Sequence, residues 1–356
     1  MKILYAGGGT MGSVSPLIAI HQKLVSKFQV PNYQSLWLGT IFGMERELVE
    51  KAGIKFEPIE SGKLRRYFAL ENVFDIFRII IGFFQALYWL VKFEPDIVLT
   101  AGSFVAVPVA YAAFFYNAPV FAHQQDVKVG LANKLMAPVA KKITVALEKS
   151  LKDFNQKKVV LVGNPIRDEL RITDLQHRFD FENNLPIVLI LGGGTGALAI
   201  NELIWQSLSE LIKFCNIIHI TGKDKSISNC GLPITDYELQ YKSFEFLDAE
   251  QISEVYNLSN IAISRAGMAT LTELAYFKKP TIIIPMPDTH QEANAEYFAK
   301  NNAGIYLKQK ELTAKSFVQE IKNLLVDETK KKELGENMNQ IFVDYSGEKY
   351  LEEILN

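Results

Sequence analysis

Three sets of residues in this 356-residue chain have types and spacings suited to chemistry. The first is a pair of glycine-rich turns. One runs Gly7-Gly8-Gly9-Thr10-Met11-Gly12 after the apolar run Ile3–Ala6. The other runs Gly192-Gly193-Gly194-Thr195-Gly196-Ala197 after Ile187–Leu191. Each feeds a helix-like pattern, so each offers backbone N–H groups and a positive helix end to an anion, usually a phosphate. Both also fit the dinucleotide fingerprint. A dinucleotide site needs in addition an acid at the end of the second strand, to hold the ribose. Here those strands end Leu38-Gly39-Thr40 and Ile220-Thr221-Gly222. The phosphate reading therefore stands and the dinucleotide reading does not, which ranks a dehydrogenase last.

The second set supplies a different acid. In Ser264-Arg265-Ala266-Gly267-Met268-Ala269-Thr270-Leu271-Thr272-Glu273, Gly267 opens a turn into a helix whose first N–H groups suit a phosphate. Glu273 follows within the helix and suits a ribose diol. The third set lies at strand ends: His123-Gln124-Gln125-Asp126 after Pro119–Ala122, and Asp288-Thr289-His290-Gln291 after Thr281–Ile284. Arg167, in Gly163-Asn164-Pro165-Ile166-Arg167, suits neutralisation of a diphosphate. No metal-ligand spacing accompanies these turns, so backbone dipoles and Arg167 would carry the neutralisation.

The elements that must position these groups alternate strand and helix throughout. Predicted strands cover 2–6, 35–39, 55–58, 97–100, 119–122, 143–145 and 159–162, then 187–191, 217–221, 244–247, 261–264, 281–284 and 304–307. This order predicts an α/β protein of two Rossmann-like, doubly wound domains facing a cleft, with ligands at the carboxyl ends of the strands. The boundary falls at Gly163-Asn164-Pro165, giving domains 1–163 and 164–341, and the helical tail 342–356 is expected to pack back on the first.

Composition narrows the class. Lysine and arginine (38) nearly balance aspartate and glutamate (40), which gives no pull toward nucleic acid. Cys215 and Cys230 form no disulfide framework, and the N-terminus has no signal-peptide pattern, so a cytoplasmic setting is expected. The segment from Asn72 to Lys92 is apolar almost all round, and as a helix it is about 30 Å long. Asp75, Arg78 and Gln85 interrupt it, which makes it short for a span. It reads either as a core helix or as a face on an anionic membrane, with Lys63, Arg65, Arg66 and Lys92 beside it.

The ordered blocks GGGTMGSVSPLIA, LGTIFGMERELV, HQQD, VGNPIR, LGGGTGALAIN, SRAGMATLTELA and HQEANA run through nearly the whole chain. Together they resemble the MurG family of N-acetylglucosaminyltransferases. The resemblance implies a glycosyltransferase B fold and an inverting transfer of N-acetylglucosamine from UDP-GlcNAc to an undecaprenyl-diphosphate-linked muramyl-pentapeptide. It also implies no metal or cofactor, and a peripheral place on the cytoplasmic face of the cell membrane, reached through the 63–92 region. Carried over by position, Glu273 would hold the ribose, Leu247 the uracil, and Arg167, Gly194 and Thr195 would sit near the nucleotide. Met268, Ala269, Thr270, Leu271 and Thr272 would wrap the diphosphate, Gln291 would read sugar hydroxyls, and Thr10, Met11 and Gly12 would approach the acceptor and the transferred sugar.

The departures fall on the acceptor side. Met11 and Ser13 stand where the family carries glycine and histidine, and Gln124 and Asp126 stand where it carries glutamate and asparagine. Asp126 is then the first choice for the base, with His123 second and Ser13 as the remaining catalytic candidate. These changes keep two alternatives in view: a related UDP-sugar transferase with another lipid acceptor, and a non-catalytic UDP-sugar-binding homologue.

Overall fold

The computed structural model describes residues 1–27, 32–43, 45–62, 71–171, 178–193, 196–225 and 239–355. The chain divides into two compact units, Met1–Asp168 with Phe342–Asn356, and Glu169–Ile341.

The strands of the first unit are β1 (Lys2–Ala6), β2 (Gln34–Thr40), β3 (Lys55–Ile59), β4 (Ile97–Thr100), β5 (Val120–Gln124), β6 (Lys142–Val145) and β7 (Val159–Leu161). Its helices are α1 (Ser15–Ser26), α2 (Glu45–Lys51), α3 (Glu71–Phe93), α4 (Ala106–Tyr116) and α5 (Leu131–Met136). The sheet is parallel and ordered β3-β2-β1-β4-β5-β6-β7, so the winding reverses between β1 and β4. Alternation along β1 sends successive side chains to opposite layers. Ile3 and Tyr5 join Leu17, Ile20 and Trp37 on one face; Leu4 and Ala6 join Ala86, Leu90 and Val109 on the other. Each buried Leu, Ile or Val among them contributes about 1.5–3 kcal/mol.

The second unit has β8 (Ile187–Leu191), β9 (Asn216–Ile220), β10 (Tyr241–Phe244), β11 (Ile261–Ser264), β12 (Thr281–Ile283) and β13 (Ile305–Tyr306). With them are α6 (Leu198–Leu211), α7 (Ala249–Leu258), α8 (Met268–Tyr276), α9 (His290–Lys300), α10 (Ala314–Val326) and α11 (Glu328–Asn339). Its parallel sheet runs β10-β9-β8-β11-β12-β13 and reverses between β8 and β11. The last helix, α12 (Glu348–Leu355), lies in the first unit, where Tyr350, Leu351 and Ile354 complete the core around Ile3 and Tyr5. Gly163 takes φ +80, and any Cβ on it would strike the backbone of Asp344. The chain there pairs with the returning tail through Asn164 N–H to Asp344 O (3.0 Å) and Ile166 N–H to Tyr345 O (3.1 Å).

Two strands differ most from expectation. The strand expected at 244–247 is β10, three residues earlier. Tyr241 anchors it, because its hydroxyl joins Trp205 and His219 in the core, and Leu247 instead precedes the Asp248–Gln251 capping box of α7. β5 runs two residues beyond Ala122, because His123 and Gln124 pair in register with Thr144 and Val145 of β6.

Helix α3 is neither wholly core nor wholly exposed. Ala86 and Leu90 are buried against the sheet, and Gly82 allows a close approach to Glu60 O. Gln85 is the polar interruption that faces inward: its Oε1 accepts from Glu60 N–H at 2.7 Å. Asp75 is buried and takes Arg78 at 3.4 Å. The other stripe, with Phe77, Ile80, Ile81, Phe84, Tyr88 and Val91, is exposed, as are Phe114 and Phe115 of α4. The stretch Asp75–Phe93, with a mean hydropathy of 1.6, is long and apolar enough by length and composition to cross a membrane.

Candidate active site

In each sheet the turns that follow the two strands at the reversal lie together, which is where such folds receive ligands. In the first unit these are the turns after β1 and β4. The β1 turn is tied down atom by atom. Trp37 Nε1–H donates to Gly7 O (2.9 Å), and both Ser103 Oγ (2.7 Å) and Ser13 Oγ (3.2 Å) donate to Gly8 O. Glu45, the first residue of α2, accepts Gly9 N–H at 3.2 Å. Gly9 needs its φ of +77, and the ring of Phe104 fills the space where a side chain would stand. What the turn leaves at the surface is Gly9 and Thr10, both exposed, with Met11 and Gly12 half-exposed in a 3-10 turn that leads to α1.

The residues proposed for proton handling separate in space and burial. His123 is fully buried inside β5, not at a strand end. Its Nδ1 bonds Thr144 Oγ1 (3.0 Å) and its Nε2 bonds Asn164 Oδ1 (3.0 Å), and burial pulls its pKa down to about 4. Ser13 is buried, with its hydroxyl also 3.2 Å from Thr10 O, so it braces the loop. Asp126 is half-exposed just past β5. Its backbone is held by Gln124, whose Nε2 donates to Asp126 O (2.7 Å) and Lys128 O (3.4 Å) while its Oε1 accepts from Asn133 (2.7 Å). Gln125 reaches back to Gly12 O, which ties the β5 end to the first glycine turn. Arg167 falls in the first unit and is half-exposed.

In the second unit the turns after β8 and β11 correspond. Gly193 and Gly196 take φ +82 and +70, and Gly196 lies against Thr221 O at the end of β9. Gly194 and Thr195 lie outside the described residues. A one-way chain of hydrogen bonds fixes Thr221: Trp205 to Tyr241 (3.2 Å), Tyr241 to His219 (2.9 Å), His219 to Asn201 (3.0 Å) and Asn201 to Thr221 O (3.0 Å). After β11, Gly267 begins α8 in an extended conformation with no side-chain cap, so the first N–H groups of the helix are turned to the turn side. Met268, Leu271 and Thr272 are buried, and the Thr272 hydroxyl donates to Met268 O (2.8 Å). These three can meet a ligand only through backbone, whereas Ala269, Thr270 and Glu273 share the half-exposed face.

Around this helix end the scaffold is hydrogen-bonded throughout. Tyr256 OH donates to Glu273 Oε2 at 2.9 Å. Arg265, buried, donates to Ile284 O (3.1 Å) and Pro285 O (2.9 Å), and Asn294 donates to Ala266 O (2.9 Å). Gln291, in the first turn of α9, accepts Met286 N–H at 3.1 Å, which draws the β12 turn toward its side chain. Leu247 is buried, ahead of α7.

Residues 3–145 match the N-terminal domain of glycosyltransferase family 28, and residues 187–348 match its C-terminal domain. The UDP-N-acetylglucosamine–N-acetylmuramyl-(pentapeptide) pyrophosphoryl-undecaprenol N-acetylglucosamine transferase of Clostridium kluyveri is 38% identical over 331 residues, covering 91% of each chain. The chain belongs to the MurG family. The corresponding transferase of Clostridium tetani is also 38% identical, over 91% of this chain and 89% of its own. The crystal structure of Acinetobacter baumannii MurG superposes with a TM-score of 0.74 at 25% identity, covering 99% of both chains. The fold is thus the glycosyltransferase B fold of that family, with two parallel-sheet α/β domains. Within the MurG fold, Glu45 and the Gly102-Ser103-Phe104 turn carried no role in the sequence. The glycine just past the apolar run of β4 was the available signal for the turn, and it takes φ +92.

Proposed function

We propose that this MurG-family chain transfers N-acetylglucosamine from UDP-GlcNAc to the undecaprenyl-diphosphate-linked muramyl-pentapeptide, forming a β-1,4 link in peptidoglycan synthesis. The observation that carries the reading is 38% identity across 91% of the chain to transferases of that name.

The donor reading rests on the second unit. A UDP diphosphate suits the uncapped start of α8, where the backbone of Met268 to Thr272 and the helix dipole oppose its charge as UDP leaves. Glu273, held by Tyr256, suits the ribose diol, Gln291 the sugar hydroxyls, and Leu247 the uracil through its backbone. Gly194, Thr195 and Arg167 complete the nucleotide set in this reading. The acceptor reading rests on Thr10, Met11 and Gly12. Its hydroxyl attacks the anomeric carbon, the bond to the UDP oxygen breaks, and the hydroxyl proton passes to Asp126. With His123 locked in the interior, Asp126 is the surface carboxylate of the set.

The exposed stripe of α3 with Phe114 and Phe115 is the surface we assign to the cytoplasmic face of the membrane. Lys55 and Lys92 lie over the Trp89 ring at 5.0 and 4.8 Å, a basic and aromatic rim suited to anionic lipid. Lys63, Arg65 and Arg66 lie outside the described residues.

The test is transfer of labelled N-acetylglucosamine from UDP-GlcNAc to a short-chain muramyl-pentapeptide lipid, with UDP release followed in parallel. Labelled lipid is the expected result. UDP-GlcNAc binding without labelled lipid would overturn the acceptor assignment and send the search to other lipid acceptors.

A further inference from the structure

The block LGTIFGMERELV contains an acid that the proposed reaction does not use. Glu45 is about as buried as a carboxylate can be, at 2% exposed, yet it stands beside the glycine turn proposed to face the acceptor. Its two oxygens collect three donors. Oε1 accepts Thr40 N–H (2.8 Å) and the Thr40 hydroxyl, and Oε2 accepts Gly9 N–H (3.2 Å). Glycines make room for it: a Cβ on Gly8 or Gly43 would overlap the carboxylate. The carboxylate therefore sits in a cradle built from both ends, the β1 turn and the β2 end.

In a glycine turn of this kind the backbone N–H groups ordinarily receive the ligand's phosphate. Here Gly9 N–H is taken by an internal anion, and Gly7 O and Gly8 O are taken by Trp37, Ser13 and Ser103. A phosphate drawn to Gly9 would meet a buried negative charge. We propose that Glu45 is a positioning residue for the acceptor. Its carboxylate fills the anion place of the first glycine turn, so that the acceptor's diphosphate is received at Thr10–Gly12. This rests on the acceptor-side reading above.

The chemistry requires a carboxylate. Glutamine has one acceptor oxygen for three donors, so either orientation sets an amide N–H₂ against Gly9 N–H or Thr40 N–H. Glu45→Gln keeps the volume and breaks one side of the cradle, whereas Glu45→Ala empties it and exposes the Gly9 and Thr40 donors to a small anion.

The experiment has two arms on the full chain. In the first, steady-state transfer is measured for wild type and Glu45→Gln. The expected result is a fall of about 10–100-fold in kcat/KM for the lipid acceptor, as for a misplacement of about 1 Å, with the KM for UDP-GlcNAc unchanged. In the second, inorganic phosphate is titrated calorimetrically into wild type and Glu45→Ala. An additional phosphate site is expected in the variant, and phosphate bound there should compete with the acceptor and not with the donor. Unchanged acceptor kinetics in Glu45→Gln, or donor and acceptor terms falling together, would overturn the proposal. So would equal phosphate binding by both proteins. The phosphate arm needs no turnover, so it decides the role of Glu45 even where the muramyl lipid proves to be the wrong acceptor.

Discussion

The hydroxyl of Tyr256, on α7, donates to Glu273 Oε2, on α8, at 2.9 Å. Tyr256 is buried and Glu273 half-exposed, so the bond fixes one oxygen of the carboxylate from inside the domain. Removing it leaves the acid present without that hold on Oε2. Tyr256→Phe is expected to weaken UDP-GlcNAc binding about 3–10-fold, in line with the net worth of a typical hydrogen bond, and to leave kcat near wild type. Glu273→Ala should weaken it further. Titration calorimetry with UDP checks both.

Asp126→Asn removes the proposed proton acceptor and keeps its shape. Turnover should fall about 100–10,000-fold, the usual scale of a general base, while UDP affinity stays unchanged. A variant turning over at the wild-type rate would remove Asp126 from the mechanism.

Gln124 donates to two carbonyls, which a carboxylate cannot do. Gln124→Glu, although it restores the residue type of the family, should therefore destabilise the first unit by about 1–3 kcal/mol at pH 7.5. Protonation restores a donor and raises the folded-state pKa of that Glu. The deficit relative to wild type should then shrink as pH falls. Urea midpoints of both proteins at pH 7.5 and 5 measure it.

Three buried histidines set an acid limit. Burial pulls His21 and His123 down to about 4 and His219 to about 3. Below pH 6.5 the unfolded chain binds protons that the folded chain refuses. Their stabilising share is therefore complete above about 6.5 and lost as pH falls through about 4 for His21 and His123 and about 3 for His219, on the order of 3 kcal/mol for each of the first two and about 5 kcal/mol for the third. Melting temperature should decline over this window. His123→Gln, which can still bond Thr144 and Asn164, should make the decline shallower.

Phe84 and Phe115 are 61% and 69% exposed, so replacing both with serine should leave the melting temperature unchanged. If the α3–α4 face rests on lipid, the double variant should lose about 10-fold or more in partition onto anionic vesicles, given about 1.5–3 kcal/mol per buried Phe. Co-sedimentation against neutral vesicles provides the control.

Much of this molecule is legible in short stretches of chain. β1, β4, β8 and β11 begin and end within a residue of their apolar runs, because a strand buried on both faces needs an unbroken run of such residues. The glycine turns, the helix that follows Gly267 and the length of α3 are equally local. Other features depend on partners far along the chain. The polar run His123-Gln124-Gln125 reads as a loop, yet it is half strand, because Thr144, Asn164, Asn133 and Gly12 bond its side chains. Lys242 and Ser243 likewise disguise β10, which Tyr241 anchors through His219 and Trp205. The stripe of α3 that faces out is settled by Glu60 meeting Gln85. The acid missing from the end of β2 is present as Glu45, five residues past Thr40, and its oxygens are spent on the turn it braces. Periodicity reports the local environment of a side chain, whereas a hydrogen bond across 36 residues, as from Gly9 to Glu45, exists only once the sheet has brought β1 and β2 together.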